Sequence, residues 1–485
     1  MRLDWALYTD LYQITMAQAY WASNKIDDQA TFTMFFRDYP FNGGYAVACG
    51  MEQLTQMLAD YSFSQEDIDY LASVKSPDGT RMFDADFLKF LMDMRLNVDI
   101  EAVAEGTIVF PYEPIMRVSG PIMQCQLLET MLLNCVNFQT LIATKAARIC
   151  RATHGMPVAE FGLRRAQGTG GLWASRAAFV GGCASTSNVL AGKLYGIPVS
   201  GTHSHSWVMS FESELEAFRE YARSFPSNCT LLVDTYDVEE GVRNAIKVGL
   251  EMRQRGEKLS GIRIDSGDLA WLARKARKML DDAGLTDVGI VLSNDLDERT
   301  VESIMDEGAP VNAWGIGTRL ATGYDQPTLG GVYKLSAIKP AGSNTWKDRL
   351  KISESAAKLT MPGVLNVRRY FNEDGHVAGD MVYDVNSKID ASEVIVDPMD
   401  PLRQKQLKGK RNVVLLQPFI RNGAIVCDKS FTDAKVARNR ASEQLETLDE
   451  TQLRMLNPHT YPVGLERGLH ERRQNLVAQL RSIDR

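Results

Sequence analysis

The sequence predicts an α/β fold: a barrel of parallel strands between about residues 155 and 325, flanked by α+β modules. Short β-rich apolar runs recur there, starting at residues 157, 197, 230, 261, 288 and 311. The intervals leave room for one helix and two loops, which is the alternation typical of a parallel sheet. Every run is followed by polar residues that could form a site. Because barrels carry their sites at the carboxyl ends of the strands, we favour a barrel over a doubly wound sheet.

Two of the intervening segments have clear helical patterns. Residues 238–252 place apolar side chains close to a 3.6-residue period, at Val238, Val242, Ala245, Ile246 and Leu250. Residues 268–280 begin with Asp268 and carry their basic side chains later, as the helix dipole favours. The helices therefore support the same strand–helix alternation as the apolar runs.

The regions on either side of the barrel have shorter elements. Residues 1–150 include the strand-like segments Thr31–Phe36 and Glu105–Phe110. Beyond about residue 335, the segment Asn412–Pro418 is strand-like and a charged helical tail starts at Ser430. We interpret these regions as one or two flanking α+β modules.

Composition excludes several classes of protein. The 485 residues are 45% hydrophobic and 24% charged, with a formal net charge of −7, so we expect a soluble protein that does not bind nucleic acid in bulk. No apolar stretch reaches the roughly 18 residues of a membrane helix, and the N-terminus lacks the apolar core of a signal peptide. The seven cysteines lack CxxC spacing, which is typical of a reducing compartment. We expect a cytoplasmic protein that does not enter a membrane.

The first strand end could hold a flat anionic ring. Phe161 follows the first run and could stack on such a ring. Arg164 and Arg165 come next, and guanidinium groups bind carboxylate or phosphate in a fork. A packed phenylalanine beside two surface arginines is an equally good interpretation of this motif alone.

Two histidines, His203 and His205, follow the second run. No third ligand of suitable spacing accompanies them, so zinc is disfavoured. A histidine acting as acid, base or nucleophile fits the strand end better. A surface or capping histidine is the alternative.

Carboxylates follow the next three runs. Asp234 follows the third run, Asp265 and Asp268 follow the fourth, and Asp295 follows the fifth. Carboxylate oxygens suit Mg²⁺ or sugar hydroxyls. Each of these aspartates could instead cap the helix that comes next.

The last run ends in the glycine-rich turn Gly315–Arg319, whose backbone N–H groups and Thr318 could cradle a phosphate. Taken together, the strand ends offer an aromatic surface, arginines, paired acids and a phosphate turn. This set suits a phosphorylated sugar and a flat anionic ring, and so indicates ribosyl transfer.

With these motifs, the chain resembles the nicotinate phosphoribosyltransferase family from residue 8 to at least 370. The strings that carry the resemblance are Thr9–Gln13, Glu160–Gln167, Thr186–Gly192, Gly201–Ser206, Arg263–Asp268 and Gly315–Thr318. The resemblance implies an irregular α/β barrel at 135–340, an N-terminal α+β domain at 1–134 and a C-terminal α+β region at 341–485 that packs on the first domain. It also implies a homodimer with shared active sites.

The implied reaction is the ATP-coupled transfer of a phosphoribosyl group from phosphoribosyl pyrophosphate to nicotinate, with Mg²⁺, in NAD synthesis. By position, His205 is the phosphorylated histidine, and Asp265 and Asp268 act near the diphosphate and the metal. The residues implied at nicotinate are Tyr12 (donated across the dimer), Phe161, Arg164, Asn188, Thr202 and Arg263. Those implied at the phosphoribosyl group are Arg37, Asn294, Asp295, Gly317 and Thr318.

The preference for nicotinate over nicotinamide rests on Asn188. The related nicotinamide enzyme has an aspartate there, which would repel a carboxylate, whereas Asn beside Ser187 does not. Lys145 departs from the family, which often has Asn at this position. The alternatives are a nicotinamide phosphoribosyltransferase and a catalytically silent barrel. His205, Asp265 and Asp268 are all intact, which weighs against a silent barrel.

Overall fold

The structure is a computed structural model that describes residues 5–352 and 360–483. The chain divides into two compact units. Unit 1 comprises Met1–Leu141 and Thr328–Arg485, and unit 2 comprises Ile142–Pro327. The domain limits inferred from the sequence, at residues 134 and 340, stay predictions.

The α-helices of the described ranges are numbered in chain order. They are α1 Leu11–Ala22, α2 Met51–Leu58, α3 Gln65–Ser73, α4 Ala85–Asp93, α5 Ile122–Leu127, α6 Glu129–Ala152, α7 Gly170–Val180, α8 Val189–Tyr195, α9 His205–Met209, α10 Glu214–Ser224, α11 Val238–Gln254, α12 Leu269–Asp282, α13 Glu298–Asp306, α14 Thr318–Ala321, α15 Ala434–Glu446 and α16 Arg467–Ile483. None of these helices is long and apolar enough to cross a lipid bilayer.

The β-strands of the same ranges are numbered likewise. They are β1 Gln29–Phe35, β2 Ala46–Val47, β3 Asp99–Ala102, β4 Ile108–Val109, β5 Met116–Pro121, β6 Val158–Glu160, β7 Ser185–Thr186, β8 Cys229–Leu232, β9 Leu259–Ile264, β10 Gly289–Asn294, β11 Ala313–Ile316, β12 Val332–Lys339, β13 Lys347–Asp348, β14 Leu365–Phe371, β15 Val377–Asp384, β16 Val394–Val396, β17 Gln404–Gln406, β18 Arg411–Val414, β19 Gln417–Arg421, β20 Ala424–Ile425 and β21 Val463–Glu466.

Unit 2 is built on one parallel sheet of six strands in the order β7-β6-β11-β10-β9-β8. Helices connect successive strands, so the predicted α/β class and parallel sheet are confirmed. The sheet forms a half-barrel. The predicted strand Ile197–Gly201 is wrong as a strand, because it contributes only an isolated bridge from Val199 to Thr186.

The helices of unit 2 begin where the sequence predicts. Asp237 caps α11 by accepting a hydrogen bond from the backbone N–H of Glu240, and Asp268 caps α12 in the same way from Trp271. Each cap satisfies an N–H group that has no partner within its helix. The apolar faces of α11 and α12 are buried. Capping and burial together start each helix at the carboxyl end of a strand.

A buried charge cluster joins α6 to α13 in unit 2. Lys145 Nζ lies 2.7 Å from one carboxylate oxygen of Glu298, and Arg148 Nε lies 2.8 Å from the other. Burial opposes ionisation of Glu298, but the two cations outweigh it and lower its pKa. Lys145, the position that departs from the family pattern, is thus one of the two cations that contact this buried carboxylate.

Unit 1 contains two larger sheets. One has seven antiparallel strands in the order β13-β12-β1-β5-β3-β19-β20. The other has six strands in the order β17-β16-β21-β15-β14-β18, and only β15 and β21 are parallel neighbours among them. In the first sheet Phe32 stacks on Tyr333 with ring centroids 4.9 Å apart. In the second, Arg369 binds the buried carboxylate of Asp380, which also accepts a hydrogen bond from Tyr461 at 2.8 Å. The segments before and after unit 2 therefore share both a sheet and a core.

We predict that Glu298→Gln destabilises the protein by about 3–5 kcal/mol, because it removes the negative charge that two buried cations contact. Urea unfolding followed by circular dichroism measures this change. Asp306→Asn, an exposed acid on the same helix, is the control and should change little. The lowered pKa of Glu298 means that its contribution is present above its unfolded pKa and is lost as the pH falls through the folded one. Equal stability of the two variants would contradict the prediction.

Candidate active site

Two adjoining cavities lie at the carboxyl ends of the strands in unit 2. The larger, of about 350 Å³, is lined by residues that include Phe161, Ser187, Thr202 and His205. The smaller, of about 130 Å³, is lined by Phe161, Arg164, Arg165, Arg263, Asp265, Ser293, Asn294, Asp295, Gly315, Gly317 and Thr318. Four residues line both cavities: Phe161, Arg164, Arg263 and Asp265. The structure therefore brings most of the predicted site residues together.

Arg263, at the end of β9, organises the shared wall. Its guanidinium donates to Thr202 Oγ1 at 3.0 Å, to Ser293 Oγ at 2.7 Å and to Asp265 Oδ1 at 3.0 Å. Its central carbon lies 5.3 Å from the centroid of the Phe161 ring. Each nitrogen of the planar fork thus donates to a different side chain, one on β10, one just after β9 and one in the loop before α9, which fixes the plane of the guanidinium.

Phe161 owes its position to a glycine. A Cβ added at Gly315 would come within 2.5 Å of the Phe161 ring, so only glycine lets the ring lie against β11. Glu160, which is buried, accepts hydrogen bonds from the backbone of Gly162 and from Thr186 Oγ1. The turn that presents Phe161 is therefore held from both sides.

His205 is paired with a buried carboxylate. Its Nε2 lies 3.1 Å from Asp234 Oδ1, and the Asp234 side chain is 1% exposed against 40% for His205. The other oxygen of Asp234 accepts hydrogen bonds from the Asp265 backbone N–H at 3.1 Å and from Ser266 Oγ at 2.6 Å. Asp234 therefore orients an accessible imidazole and connects it to the turn after β9.

The glycine-rich turn follows β11 and is anchored through Arg319. Arg319 binds the buried carboxylate of Asp297 and lies over the ring of Tyr324, 4.5 Å from its centroid. Burial opposes ionisation of Asp297, but hydrogen bonds from Thr300 and from Arg319 lower its pKa. Gly317 and Thr318 line the smaller cavity immediately before this anchor. The turn is placed where it could receive a phosphate.

Asn188 and Asp268 do not line either cavity. Asn188 is buried and caps α8: its side-chain oxygen accepts from the Ala191 N–H, and its amide donates to Ser175 Oγ at 3.2 Å. Asp268 caps α12 and is exposed. Both side chains lie in the strand-end loops of unit 2, and their contribution to ligand binding stays a prediction.

Tyr12 and Arg37 belong to unit 1. The Tyr12 hydroxyl donates to Glu129 at 3.4 Å, and its ring is half-exposed on α1. Burial and the nearby charge of Glu129 raise the pKa of Tyr12. Arg37 lies over the Phe35 ring, with 5.5 Å between the guanidinium carbon and the centroid. Their predicted roles at the ring and the phosphate stay predictions.

The carboxylates fit a magnesium ion that is held mainly by its substrate. Within the described ranges, no group of three or more His, Cys, Asp or Glu side chains is arranged to hold a metal by itself. Arg263 and Ser293 both donate to Oδ1 of Asp265, and Oδ2 takes no hydrogen bond from the described residues. Mg²⁺ commonly binds one or two carboxylates together with substrate phosphates, which this arrangement permits.

The sequence reasoning missed three residues of the site as participants. The sequence predicts Asp234 only as a strand-end acid, Ser293 only as the last residue of the fifth apolar run (Val288–Ser293), and Ser187 only as a neighbour of Asn188. Ser293 is buried between Arg263 and Asp265, donating to the latter at 2.5 Å. For Asp234 and Ser293 the available signal is position, since each stands at or just after the carboxyl end of a predicted strand, whereas Ser187 follows β7, which the sequence does not predict.

Comparison with known proteins agrees with this geometry. Residues 7–137, 156–356 and 366–473 match the N-terminal domain, the family region and the C-terminal domain described for nicotinate phosphoribosyltransferase. The chain is 39% identical over 482 residues to nicotinate phosphoribosyltransferase of Bacillus subtilis, covering 98% of this chain and 96% of that protein.

Solved structures give the same result. Human nicotinic acid phosphoribosyltransferase superposes with a TM-score of 0.84 at 32% identity, covering 96% of this chain and 99% of that one. Nicotinate-nucleotide pyrophosphorylase from Pyrococcus furiosus shares the fold, with a TM-score of 0.68 at 23% identity over 92% and 96% of the two chains. The sequence matches extend over both units and include the strand ends that form the cavities. The chain belongs to the nicotinate phosphoribosyltransferase family.

Proposed function

We propose that this chain transfers the 5-phosphoribosyl group of phosphoribosyl pyrophosphate to nicotinate, with ATP as cosubstrate, in the first step of NAD synthesis from nicotinate. The products are nicotinate mononucleotide, pyrophosphate, ADP and phosphate, which makes the enzyme an ATP-dependent ligase. The observation that carries the proposal is the shared wall of the two cavities, where Arg263 and Phe161 line both the larger cavity and the cavity that contains the glycine-rich turn. Family membership supports it.

The larger cavity suits nicotinate. Phe161 offers a ring face, Arg263 offers a cation for the carboxylate, and the hydroxyl of Ser187 offers a neutral donor. Arg164 lines both cavities and can neutralise either anion. The two guanidinium groups would bind nicotinamide less tightly than nicotinate, because the amide of nicotinamide carries no charge. We propose the acid as the substrate for this reason, in addition to the identity of Asn188.

The smaller cavity suits the phosphorylated ribose. Gly317 and Thr318 present the turn to a phosphate, and Asn294 and Asp295 present oxygens to ribose hydroxyls. Asp265 and Asp268, together with the substrate diphosphate, would hold a Mg²⁺ ion, which would supply positive charge to the leaving group. We also propose that the half-barrel sheet is an irregular barrel and that these loops lie along the same end of it.

The transfer needs no protein nucleophile on the sugar. The bond from C1 to the diphosphate oxygen breaks, and the pyridine nitrogen forms the new bond to C1 through a centre with oxocarbenium character. Phe161 and Arg263 hold the ring in position, while Arg164 stabilises the anions. Catalysis then comes from positioning and from fixed charges, which require no reorganisation during the reaction.

His205 is the residue that links the reaction to ATP in this proposal. Asp234 holds Nε2, which leaves Nδ1 as the nucleophilic nitrogen. Nδ1 forms a bond to the γ-phosphorus as the bond to the ADP oxygen breaks, and water later releases the phosphate. The phosphoryl group adds negative charge beside Asp265, which favours binding of the metal–diphosphate substrate.

We propose a homodimer in which a second copy covers two exposed apolar surfaces. On α1, Leu11, Tyr12 and Met16 are exposed, and on α8, Val189 and Leu190 are 72% and 53% exposed. Exposed apolar groups of this kind mark interfaces between proteins. We propose, on the basis of the family resemblance, that Tyr12 of the partner subunit contacts the nicotinate ring. We propose a cytoplasmic location and no nucleic-acid or membrane partner.

We predict product from phosphoribosyl pyrophosphate and Mg²⁺ with nicotinate, and a higher rate when ATP is present. Mononucleotide formation, measured by chromatography with nicotinate or nicotinamide and with or without ATP, tests this. Product with nicotinamide but not with nicotinate would mean that the ring cavity has been misinterpreted. Absence of product with both rings would favour a silent barrel.

We predict that His205→Ala and Asp234→Asn both abolish the stimulation by ATP. The first removes the phosphoryl acceptor, and the second removes the carboxylate that orients it. Acid-labile phosphate incorporated from γ-labelled ATP provides a second readout and should vanish in His205→Ala. His376→Ala alters an exposed histidine of unit 1 and is the matched control. Full ATP stimulation in His205→Ala would exclude the phosphohistidine.

We predict that Arg263→Lys raises KM for nicotinate by about 10- to 100-fold, because a lysine cannot reproduce three directed hydrogen bonds. Initial rates over a range of nicotinate concentrations measure it. Arg255→Lys, on the surface beside Glu257, is the control. An unchanged KM would show that Arg263 does not contact the ring.

A further inference from the structure

One side of the half-barrel is open. Segment 198–200 pairs with β7, since Thr186 N–H donates to Pro198 O and Ser200 N–H donates to Thr186 O, each at 3.0 Å. At the other end of the sheet, β8 pairs with β9, and no strand within residues 5–352 and 360–483 pairs with its second edge. An edge strand exposes backbone N–H groups that need acceptors.

His203 supplies that acceptor. The backbone N–H of Leu232, in β8, donates to His203 Nε2 at 3.1 Å. His203 Nδ1 lies 3.3 Å from Ser204 O, so the proton of the neutral ring is on Nδ1. The ring is 8% exposed and packs edge-on against Tyr221, with centroids 4.7 Å apart. Its place and its tautomer are therefore both defined.

The loop that His203 holds carries two site residues. Thr202 donates to the His203 carbonyl at 3.0 Å and accepts from Arg263. His205, two residues on, meets Asp234 just beyond β8. Movement of the loop away from β8 would therefore shift Thr202 and His205 together.

We propose that His203 is a positioning residue: its neutral imidazole bridges segment 198–200 to β8 and so fixes Thr202 at Arg263 and His205 at Asp234. This inference deepens the proposed function, on which it rests for the role of His205. Burial, with the charges of Arg263 and His205, lowers the pKa of His203 to about 4, although the Ser204 carbonyl opposes the change. The ring therefore remains an acceptor throughout the neutral range.

Two substitutions at His203 test its role as a hydrogen-bond acceptor separately from the volume of its side chain. His203→Gln keeps an acceptor at about the reach of Nε2, whereas His203→Leu keeps the bulk and removes the acceptor. We expect His203→Leu to raise KM for nicotinate and to weaken ATP stimulation, each on the order of tenfold. This is the size of effect expected when one buried N–H loses its acceptor. His203→Gln should restore most of both. Tyr221→Phe, which keeps the packing ring, is the matched control and should behave as the unsubstituted enzyme.

The outcomes are distinguishable from failure of the proposed function. If the unsubstituted enzyme shows no ATP stimulation, the ATP role of His205 is wrong, yet KM for nicotinate in His203→Leu still decides the inference. A wild-type KM and ATP response in correctly folded His203→Leu would overturn it. A lower melting temperature with unchanged kinetics would show a purely structural role, and so would also overturn it.

A spectroscopic measurement keeps the inference testable if His203→Leu does not fold. The chain has six histidines, so ¹⁵N-histidine labelling gives few signals, and the His203 signal is the one missing in His203→Gln. We expect a neutral ring protonated on Nδ1 with no titration between about pH 5 and 8. Protonation of Nε2, or titration near the ordinary pKa of histidine, would overturn the proposal.

Discussion

The guanidinium of Arg263 is the interaction on which the site depends. It ties together Ser293 and Asp265, which lie at the ends of β10 and β9, Thr202 from the loop before α9, and the face of Phe161, which follows β6. Each of these partners lines one or both cavities. The space for the ring and the space for the sugar phosphate therefore have a common wall, and neither can change shape independently of the other. This coupling suits a reaction in which two substrates must meet at one carbon atom.

The fold was largely predictable because its strands are apolar runs at regular intervals. Five of the six predicted runs are strands of the parallel sheet. Ile197–Gly201 is not, because Pro198 lacks an N–H and the segment makes only a bridge to β7. The strand Ser185–Thr186 escaped prediction, since two polar residues carry no apolar signal. Its pairing depends on neighbours that the local sequence does not specify.

The site was predictable in its members and less so in its contacts. Strand ends in a parallel sheet meet at one edge, which is why Phe161, His205 and Asp265 could be grouped in advance, whereas Arg263 was assigned to the site by the family resemblance. Which side chain bonds which depends on tertiary packing, and so the pairing of His205 with Asp234 was not foreseen. Asn188 and Asp268 show the converse, since the same residue types that bind ligands also cap helices. For both residues, the contact that the structure shows is the helix cap.

The interrupted path of the chain through unit 1 has a consequence for synthesis. Strand β1 pairs with β5 on one side and with β12 on the other, where Gln29 faces Lys339. Unit 2, in contrast, is one continuous stretch of chain. At about 5–20 residues per second, a ribosome takes roughly tens of seconds to proceed from β5 to β12. During that interval unit 2 can be completed while one edge of β1 remains unpaired. The nascent chain is therefore most prone to aggregate through the first segment of unit 1, although that segment is made first.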